Sequence, residues 1–365
     1  MNYDYIIVGA GFFGSVLAER LTSSKKKVLV IDKRNHIGGN CYTYFDNDTN
    51  INIHKYGTHI FHTNNKEIWE YINKFTKFNN YRHKVLSNFK GKIYSMPVNL
   101  HTINKIYNKN FNPDEATNFI KKIVKKKKSK NLEEQAINFV GKKIYNKLIK
   151  GYTFKQWQTD PKLLPSSIIN RLPIRYNFND FYFDDFYQGI PVEGYTPIFE
   201  KMLRNSDVEL NCDFFQEKNR LLSKTKNIIY TGPVDMYFDY KFGQLGWRSL
   251  NFKIQKLKKD DYQGTSVMNY SDKNIKYIRI HEFKHLHPEK KVFGETIIMK
   301  EYPKTNNLDP YYPIRREVDN LLYNKYLKLV KKEKNIIFGG RLASYRYFDM
   351  HQVIGSALST FNTLK

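Results

Sequence analysis

The chain is short of cysteine, of acidic residues and of long apolar runs, and each shortage removes a class of protein. Only Cys41 and Cys212 occur in 365 residues, and neither has a partner at metal-ligand spacing. A disulfide-stapled scaffold and a cysteine-ligated zinc site are thereby excluded. No apolar run approaches the roughly 20 residues needed to cross a bilayer, and the mean hydropathy is −0.63. The first residues run straight into a strand pattern with no secretory leader, so residence in the cytoplasm without membrane insertion is the expectation. Acids number 35 against 61 Lys plus Arg, a net charge of +26 that favours anionic partners. No nucleic-acid module accompanies that charge, and the lysine comes with abundant Asn, Ile and Tyr, as an AT-rich coding sequence yields. A nucleic-acid role is set aside for solvated lysine faces.

What the chain does have is concentrated at its start. Tyr5 to Val8 is apolar, Gly9, Gly11 and Gly14 follow in the order G-x-G-x-x-G, a helical pattern runs to Leu21, and Val28 to Ile31 ends at Asp32. Strand, glycine turn, helix, strand and terminal acid make the dinucleotide-binding fingerprint. Gly9 permits a tight turn, Gly11 lets the backbone approach a pyrophosphate, and Gly14 lets helix and strand pack closely. The helix N-terminus offers free N–H groups to a diphosphate, and Asp32 offers acceptors to ribose hydroxyls. The sequence then continues Asp32, Lys33, Arg34, Asn35, His36, Ile37, Gly38, Gly39, Asn40. Acid, basic residue and double glycine in this order look like the extended flavin signature, so FAD is preferred over NAD. The alternative, in which Gly38 and Gly39 merely cap a loop, follows from turn chemistry alone.

Further on, Asn52 to Phe61 reads as a short strand or turn, Lys66 to Phe78 as a helix and Val85 to Val98 as a hairpin about Lys90, Gly91 and Lys92. From about Leu100 to Lys150 the pattern is helical, with Pro113 and Asn131 marking helix starts and Lys121 to Lys130 forming a charge run. Gly151 to Pro173 reads as irregular surface chain, aromatic enough to be ordered. Glu193 to Leu203 reads as a helix, Val208 to Asn211 and Asn227 to Tyr230 as strands of the first sheet, and the region between Lys241 and Lys300 as short antiparallel strands. Lys325 to Lys331 is helical, Ile336 to Phe338 a strand and Asp349 to Phe361 the last helix. There is no internal repeat.

These residues carry a family resemblance over nearly the full length. The segments D-Y-I-I-V-G-A-G-F-F-G, K-V-L-V-I-D-K-R-N-H-I-G-G-N, H-K-Y-G-T-H-I-F-H-T, K-G-Y-T-F-K-Q-W, Y-Q-G-I-P-V, Y-T-G-P-V-D and F-G-G-R-L-A-S-Y-R-Y-F-D-M-H-Q-V-I together resemble bacterial UDP-galactopyranose mutases. The resemblance implies an isomerase that interconverts UDP-galactopyranose and UDP-galactofuranose on reduced FAD. In that family the flavin N5 attacks the anomeric carbon, UDP leaves and returns, and there is no net redox. It further implies an external reductant such as NAD(P)H, a homodimer and a role in supplying galactofuranose to cell-surface glycans; some relatives also accept the N-acetylated sugar.

By the same resemblance, Arg171 and Arg279 match the two diphosphate-binding arginines, with Arg171 on a loop from Tyr152 to Pro173 that closes over nucleotide. A guanidinium is always charged and grips phosphate through a planar fork. Trp157 and Tyr182 match uridine contacts, where an aromatic face is worth about 1 to 3 kcal/mol to a stacked base. Tyr152, Thr153, Asn269, Tyr312 and Tyr347 match positions around uracil, phosphates and sugar. His59, Ile60 and His62 match the segment beside the flavin ring. Phe13, Lys33, Gly39, Asn40, Phe214, Arg341, Asp349 and Met350 complete the flavin positions. Glu193 and Trp247 depart from the family pattern, where glycine and tyrosine are frequent.

The expected architecture is α/β: a Rossmann-like doubly wound FAD-binding domain from 1–75, 205–240 and 325–365, an inserted helical bundle at 100–165, and an antiparallel sheet domain from 76–99, 166–204 and 241–324. Two other functions fit parts of the sequence. A flavin oxidoreductase of the same fold would consume an electron acceptor stoichiometrically, and a basic nucleic-acid binder would carry no flavin colour.

Overall fold

The computed structural model describes residues 2–124, 128–304 and 309–364, and the side chains of Asn170 and Arg171 lie outside the described residues. Part of the charge run at 121–130 therefore falls outside them too. The chain divides into two units, one of Met1–Asn80, Asp185–Gly246 and Glu317–Lys365, the other of Tyr81–Asp184 and Trp247–Arg316.

The first unit is built on a five-stranded sheet in the order Ile336–Phe338, Ile228–Tyr230, Tyr5–Val8, Val28–Ile31, Asp207–Glu209. Every pair in it is parallel. Parallel sheets are covered on both faces, which is why Tyr5–Val8 and Val28–Ile31 read as unbroken apolar runs rather than alternating ones. Helix Phe12–Ser23 lays Val16, Leu17 and Leu21 into a core shared with Val353, Ile354 and Ala357 of helix Met350–Asn362. Asp349 and Gln352 close a reciprocal cap on that last helix, a feature worth about 1 kcal/mol.

The second unit holds a seven-stranded sheet in the order Tyr312–Pro313, Trp247–Leu257, Thr296–Lys304, Arg279–Glu282, Val267–Tyr270, Val85–Phe89, Lys92–Met96. Its pairings are antiparallel except that Val267–Tyr270 runs parallel to Val85–Phe89. That corrects the all-antiparallel expectation: the two strands lie far apart in sequence, so no short hairpin dictates their direction. Helices Leu100–Tyr107, Pro113–Ile123 and Leu132–Val140 start on the side chains of Asn99, Asn112 and Asn131. Their buried residues, among them Ile103, Ile106, Ile120 and Val140, share one core with Val85, Tyr94, Met96 and Val267 of the sheet. The helical segment thus belongs with the sheet rather than standing alone, and 76–80, 185–204, 241–246 and 317–324 fall with the parallel sheet.

The largest local correction concerns Gly151 to Pro173. Lys150–Trp157 is a helix, entered through a π-helical turn at Tyr145–Ile149 and followed by short helical turns at Pro161–Leu163 and Ser166–Arg171. Its buried residues are Thr153, Lys155 and Gln156. A polar buried face leaves no apolar period to read. The helix expected from Glu193 begins at Thr196, because Gly194 sits at φ +76°, outside helical space. The helix expected over Lys66 to Phe78 stops at Ile72, the strand at Val208 to Asn211 is Asp207–Glu209, and the helix at Lys325 starts earlier, at Glu317.

Candidate functional site

In the first unit the site is shaped by backbone. Gly9 has φ +112°, and a Cβ there would lie 2.1 Å from the Thr231 hydroxyl. A Cβ on Gly14 would lie 2.0 Å from the Gly9 carbonyl oxygen, so helix and strand meet with no room for a side chain. Among the described residues, a Cβ on Gly11 would meet nothing within 4 Å beyond its neighbours in the chain. Open space above the turn, next to a helix start with no side-chain cap and no acid in its first turn, suits a diphosphate. Asp32 accepts from the N–H groups of Ala10 and Arg34, both at 2.9 Å, which fixes its carboxylate beside the turn. Gly39 has φ +55° and a Cβ there would lie 3.3 Å from the Gly11 Cα, while the Gly38 N–H donates to the Ala10 carbonyl at 2.9 Å. The double glycine therefore packs on the nucleotide turn, and its role exceeds that of a loop cap. These residues fit a dinucleotide cofactor.

Phe13 contributes by packing: a Cβ on Gly339 would lie 2.0 Å from its ring. The following short helix carries Arg341, whose guanidinium carbon lies 5.2 Å from the centre of the half-exposed Tyr347 ring. Asp349 caps the last helix and Met350 starts it. Phe214 is buried against Ile31 and Tyr230 in the core. Lys33 is exposed, while Asn40 accepts from Arg34 at 3.0 Å.

The histidine segment is held by a two-stranded sheet, Phe61–Thr63 against Tyr187–Gly189. His59 Nδ1 lies 2.7 Å from the Gly57 carbonyl and donates to it, which fixes the orientation of the ring. Ile60 beside it is buried. His62 Nδ1 lies 2.6 Å from Asp185 Oδ2, and the His62 ring meets that of His351 edge-on at 5.2 Å. Burial, and then the neighbouring His62, lower the pKa of His351.

In the second unit the site is shaped by side chains. Arg279 donates from Nε to Asn269 Oδ1 at 2.8 Å and from a terminal nitrogen to the Tyr152 hydroxyl at 2.6 Å. Asn269 and Arg279 face each other in register, as do Arg279 and Glu301. Glu301 Oε2 lies 3.7 Å from Arg279 and 2.9 Å from His281 Nε2, with both acceptor and histidine buried. Burial opposes charge on Arg279, but Tyr152, Glu301, Tyr312 and Tyr182 outweigh it and raise its pKa further. Burial likewise lowers the pKa of His281, against the pull of Glu301. A guanidinium locked in the charged state with its side chain 25% exposed is a ready anion ligand. Thr153 is buried beside Tyr152, Trp157 and Tyr182 pack on the helical core, and the Tyr182 ring meets His83 at 5.6 Å. The backbone of Arg171 ends the turn Ser166–Arg171, and its side chain lies outside the described residues.

The structure thus gathers Tyr152, Asn269 and Arg279 into one bonded cluster. To that cluster it adds Glu301 and His281, and in the first unit it adds Asp185 beside His62, all of which sequence reading missed. Glu301 had a signal: it follows Ile297 and Met299 on alternate positions of one buried strand face, where an acid needs a partner.

Residues 147–347 match the model of the UDP-galactopyranose mutase family, and residues 7–75 that of an NAD(P)-binding Rossmann-like domain. The chain is 41% identical to a "probable UDP-galactopyranose mutase" of Klebsiella pneumoniae, over 98% of this chain and 94% of that one. It is 40% identical to a dTDP-fucopyranose mutase of Escherichia coli, over 97% of this chain and 96% of that one. Its fold matches a crystal structure of reduced UDP-galactopyranose mutase with a TM-score of 0.77 at 14% identity, covering 99% of this chain and 95% of that one. The glycine-built turn lies within the Rossmann-like match and Arg279 within the mutase match, and the chain belongs to the UDP-galactopyranose mutase family of isomerases.

Proposed function

We propose that the protein interconverts UDP-galactopyranose and UDP-galactofuranose with FAD as its cofactor. The observation that carries this reading is Arg279, held by the Tyr152 hydroxyl, balanced by Glu301 and aimed by Asn269. Gly9, Gly11 and Gly14 with the N-terminus of helix Phe12–Ser23 would hold the cofactor diphosphate, and Asp32 the ribose. The His59 to His62 segment, Arg341 and the start of the last helix would border the flavin ring. Reduced FAD, kept so by an external reductant, would supply a nucleophilic nitrogen to the sugar's anomeric carbon.

The chain's own residues then bind and stabilise the nucleotide. Arg279 takes the diphosphate in the ground state and gains interaction as UDP departs with full charge, which lowers the barrier rather than only the Michaelis constant. Tyr152 and Asn269 fix the plane of its guanidinium, so no reorganisation is needed when charge develops. Arg171 is the second diphosphate arginine, brought in when the segment before Pro173 closes. Trp157 and Tyr182 stack on or flank the base.

The fucopyranose mutase relative favours a second substrate, since its identity to this chain is within one percentage point of that of the galactopyranose relative. dTDP-fucose lacks the ribose 2′-hydroxyl and the sugar 6-hydroxyl and adds a methyl to the base. The test is conversion of UDP-galactofuranose by purified protein with and without dithionite, with dTDP-fucofuranose and UDP-N-acetylgalactofuranose in parallel, read by chromatography. Conversion of the galactose nucleotide, under reduction only, is the expected result. Preference for the fucose nucleotide would replace the substrate, and failure with all three by a yellow, folded protein would return weight to an oxidoreductase.

A further inference from the structure

The Lys155 side chain is buried, with the residue 5% exposed, and its ammonium donates to three main-chain carbonyls, those of Tyr270, Ile275 and Tyr277, at 2.6, 3.0 and 2.9 Å. Three tetrahedral donors meet three acceptors, an arrangement open to an ammonium and closed to a planar guanidinium or a two-donor amide. All three acceptors lie at or within the connection from strand Val267–Tyr270 to strand Arg279–Glu282, which carry Asn269 and Arg279. Lys155 itself sits on helix Lys150–Trp157, which carries Tyr152. The same two elements touch again four residues earlier, on the same helix face. A Cβ on Gly151 would lie 2.1 Å from the Ser271 carbonyl oxygen and 3.4 Å from the Lys273 nitrogen, so the helix rests backbone to backbone on that connection.

Burying an ammonium is costly, and an apolar side chain of similar length would fill the space without that cost. Burial accordingly pulls its pKa down to about 8, with Asp272 opposing the shift. A feature kept against such a cost fixes something that packing alone leaves loose. Between the helix and the connection the bond at stake is the 2.6 Å contact from Arg279 to the Tyr152 hydroxyl.

We propose that Lys155 is a positioning residue: by clamping the carbonyls of Tyr270, Ile275 and Tyr277 it fixes helix Lys150–Trp157 on the strand connection and so sets the Tyr152 hydroxyl against the Arg279 guanidinium. This rests on the function proposed above, in which Arg279 receives the diphosphate. A guanidinium displaced by about 1 Å still binds an anion but loses its alignment with the departing charge, a loss of roughly 100-fold in turnover.

The experiment is a double-mutant cycle of Lys155→Met and Tyr152→Phe, read on kcat, on KM and on UDP affinity, with thermal melting to establish folding. Lys155→Met should lower kcat by roughly 100-fold while changing KM much less. Added to Tyr152→Phe it should lower kcat little further, because the bond it positions is already gone. Additive losses, or normal kcat in folded Lys155→Met, would overturn the proposal. Should Lys155→Met fail to fold, Lys155→Gln, which keeps two donors, takes its place in the cycle with the same criteria. The wild type runs alongside: if it converts no nucleotide sugar, the proposed function falls, and the same cycle read on thermal stability still decides for or against Lys155, since loss of the Tyr152–Arg279 bond in both single variants makes their stability losses non-additive.

Discussion

The two units make their sites from different materials. In the parallel-sheet unit the site is an arrangement of glycines, where a missing Cβ sets how closely the Thr231 side chain approaches Gly9 and how closely main chain approaches Gly14 and Gly39. In the seven-stranded unit it is an arrangement of charge, where Arg279 is aimed by Asn269 and Tyr152 and balanced by Glu301. A backbone site tolerates changes of pH and fails on the addition of a methyl group. A charge-built site tolerates small steric changes at its rim and fails when one partner is left alone.

The sharpest break in this contrast is Arg279→Ala. Turnover should fall by about three orders of magnitude, as loss of transition-state charge stabilisation does, and the buried Glu301 left facing His281 should lower stability by about 3 kcal/mol. Steady-state kinetics and denaturant melts check both; near-normal turnover would remove Arg279 from the diphosphate. Next comes Gly11→Ala, where a Cβ meets no atom of the described residues within 4 Å beyond its chain neighbours. The variant should fold and melt like the wild-type apoprotein yet emerge without flavin, as visible absorbance after gel filtration would tell. Retention of full colour would mean that the open space is not the cofactor's. Gly14→Ala should do the reverse of that clean separation. Its Cβ would lie 2.0 Å from the Gly9 carbonyl oxygen, so the main chain must shift, with a stability loss of about 2 kcal/mol in the apoprotein itself.

The smallest effect is a pH slope confined to the charge-built unit. His285 Nε2 lies 3.1 Å from Asp261 and 3.5 Å from Glu282. Burial works against its charge, but the two carboxylates prevail and raise its pKa above the ordinary 6.5. Its folded form thus holds a proton that the unfolded chain releases. The stability it contributes is complete below about pH 6.5 and is lost as pH rises through the raised value. Melting temperatures of His285→Gln across this range should lack that part of the wild-type slope; an unchanged slope would show that the proton is held elsewhere.

The same contrast explains what could be read from the sequence. Gly9, Gly11, Gly14 and Asp32 fall within one βαβ unit, so spacing alone reports the geometry. In the second cluster Asn269, Arg279 and Glu301 are joined by strand register, with Asn269 opposite Arg279 and Arg279 opposite Glu301, and Tyr152 reaches Arg279 from a helix. Register is a tertiary fact that no single segment states, and only family resemblance brought Tyr152, Asn269 and Arg279 forward. Helix Lys150–Trp157 stayed hidden for a related reason: its buried positions are Thr153, Lys155 and Gln156, and hydrophobic periodicity is blind to a polar interior. Asp185 was missed because its partner His62 lies 123 positions away.

The order of strands in the parallel sheet also has a consequence for synthesis. Strand Tyr5–Val8 is synthesised long before one of its neighbours, Ile228–Tyr230, and that strand pairs in turn with Ile336–Phe338. Phe13, beside the nucleotide turn, packs against Gly339. At about 5–20 residues per second, the growing chain spends many seconds with its glycine turn made and the walls of that turn still unsynthesised. The long-range pairing makes closure of this unit a late event, and cofactor capture accordingly waits until Ile336–Phe338 has emerged.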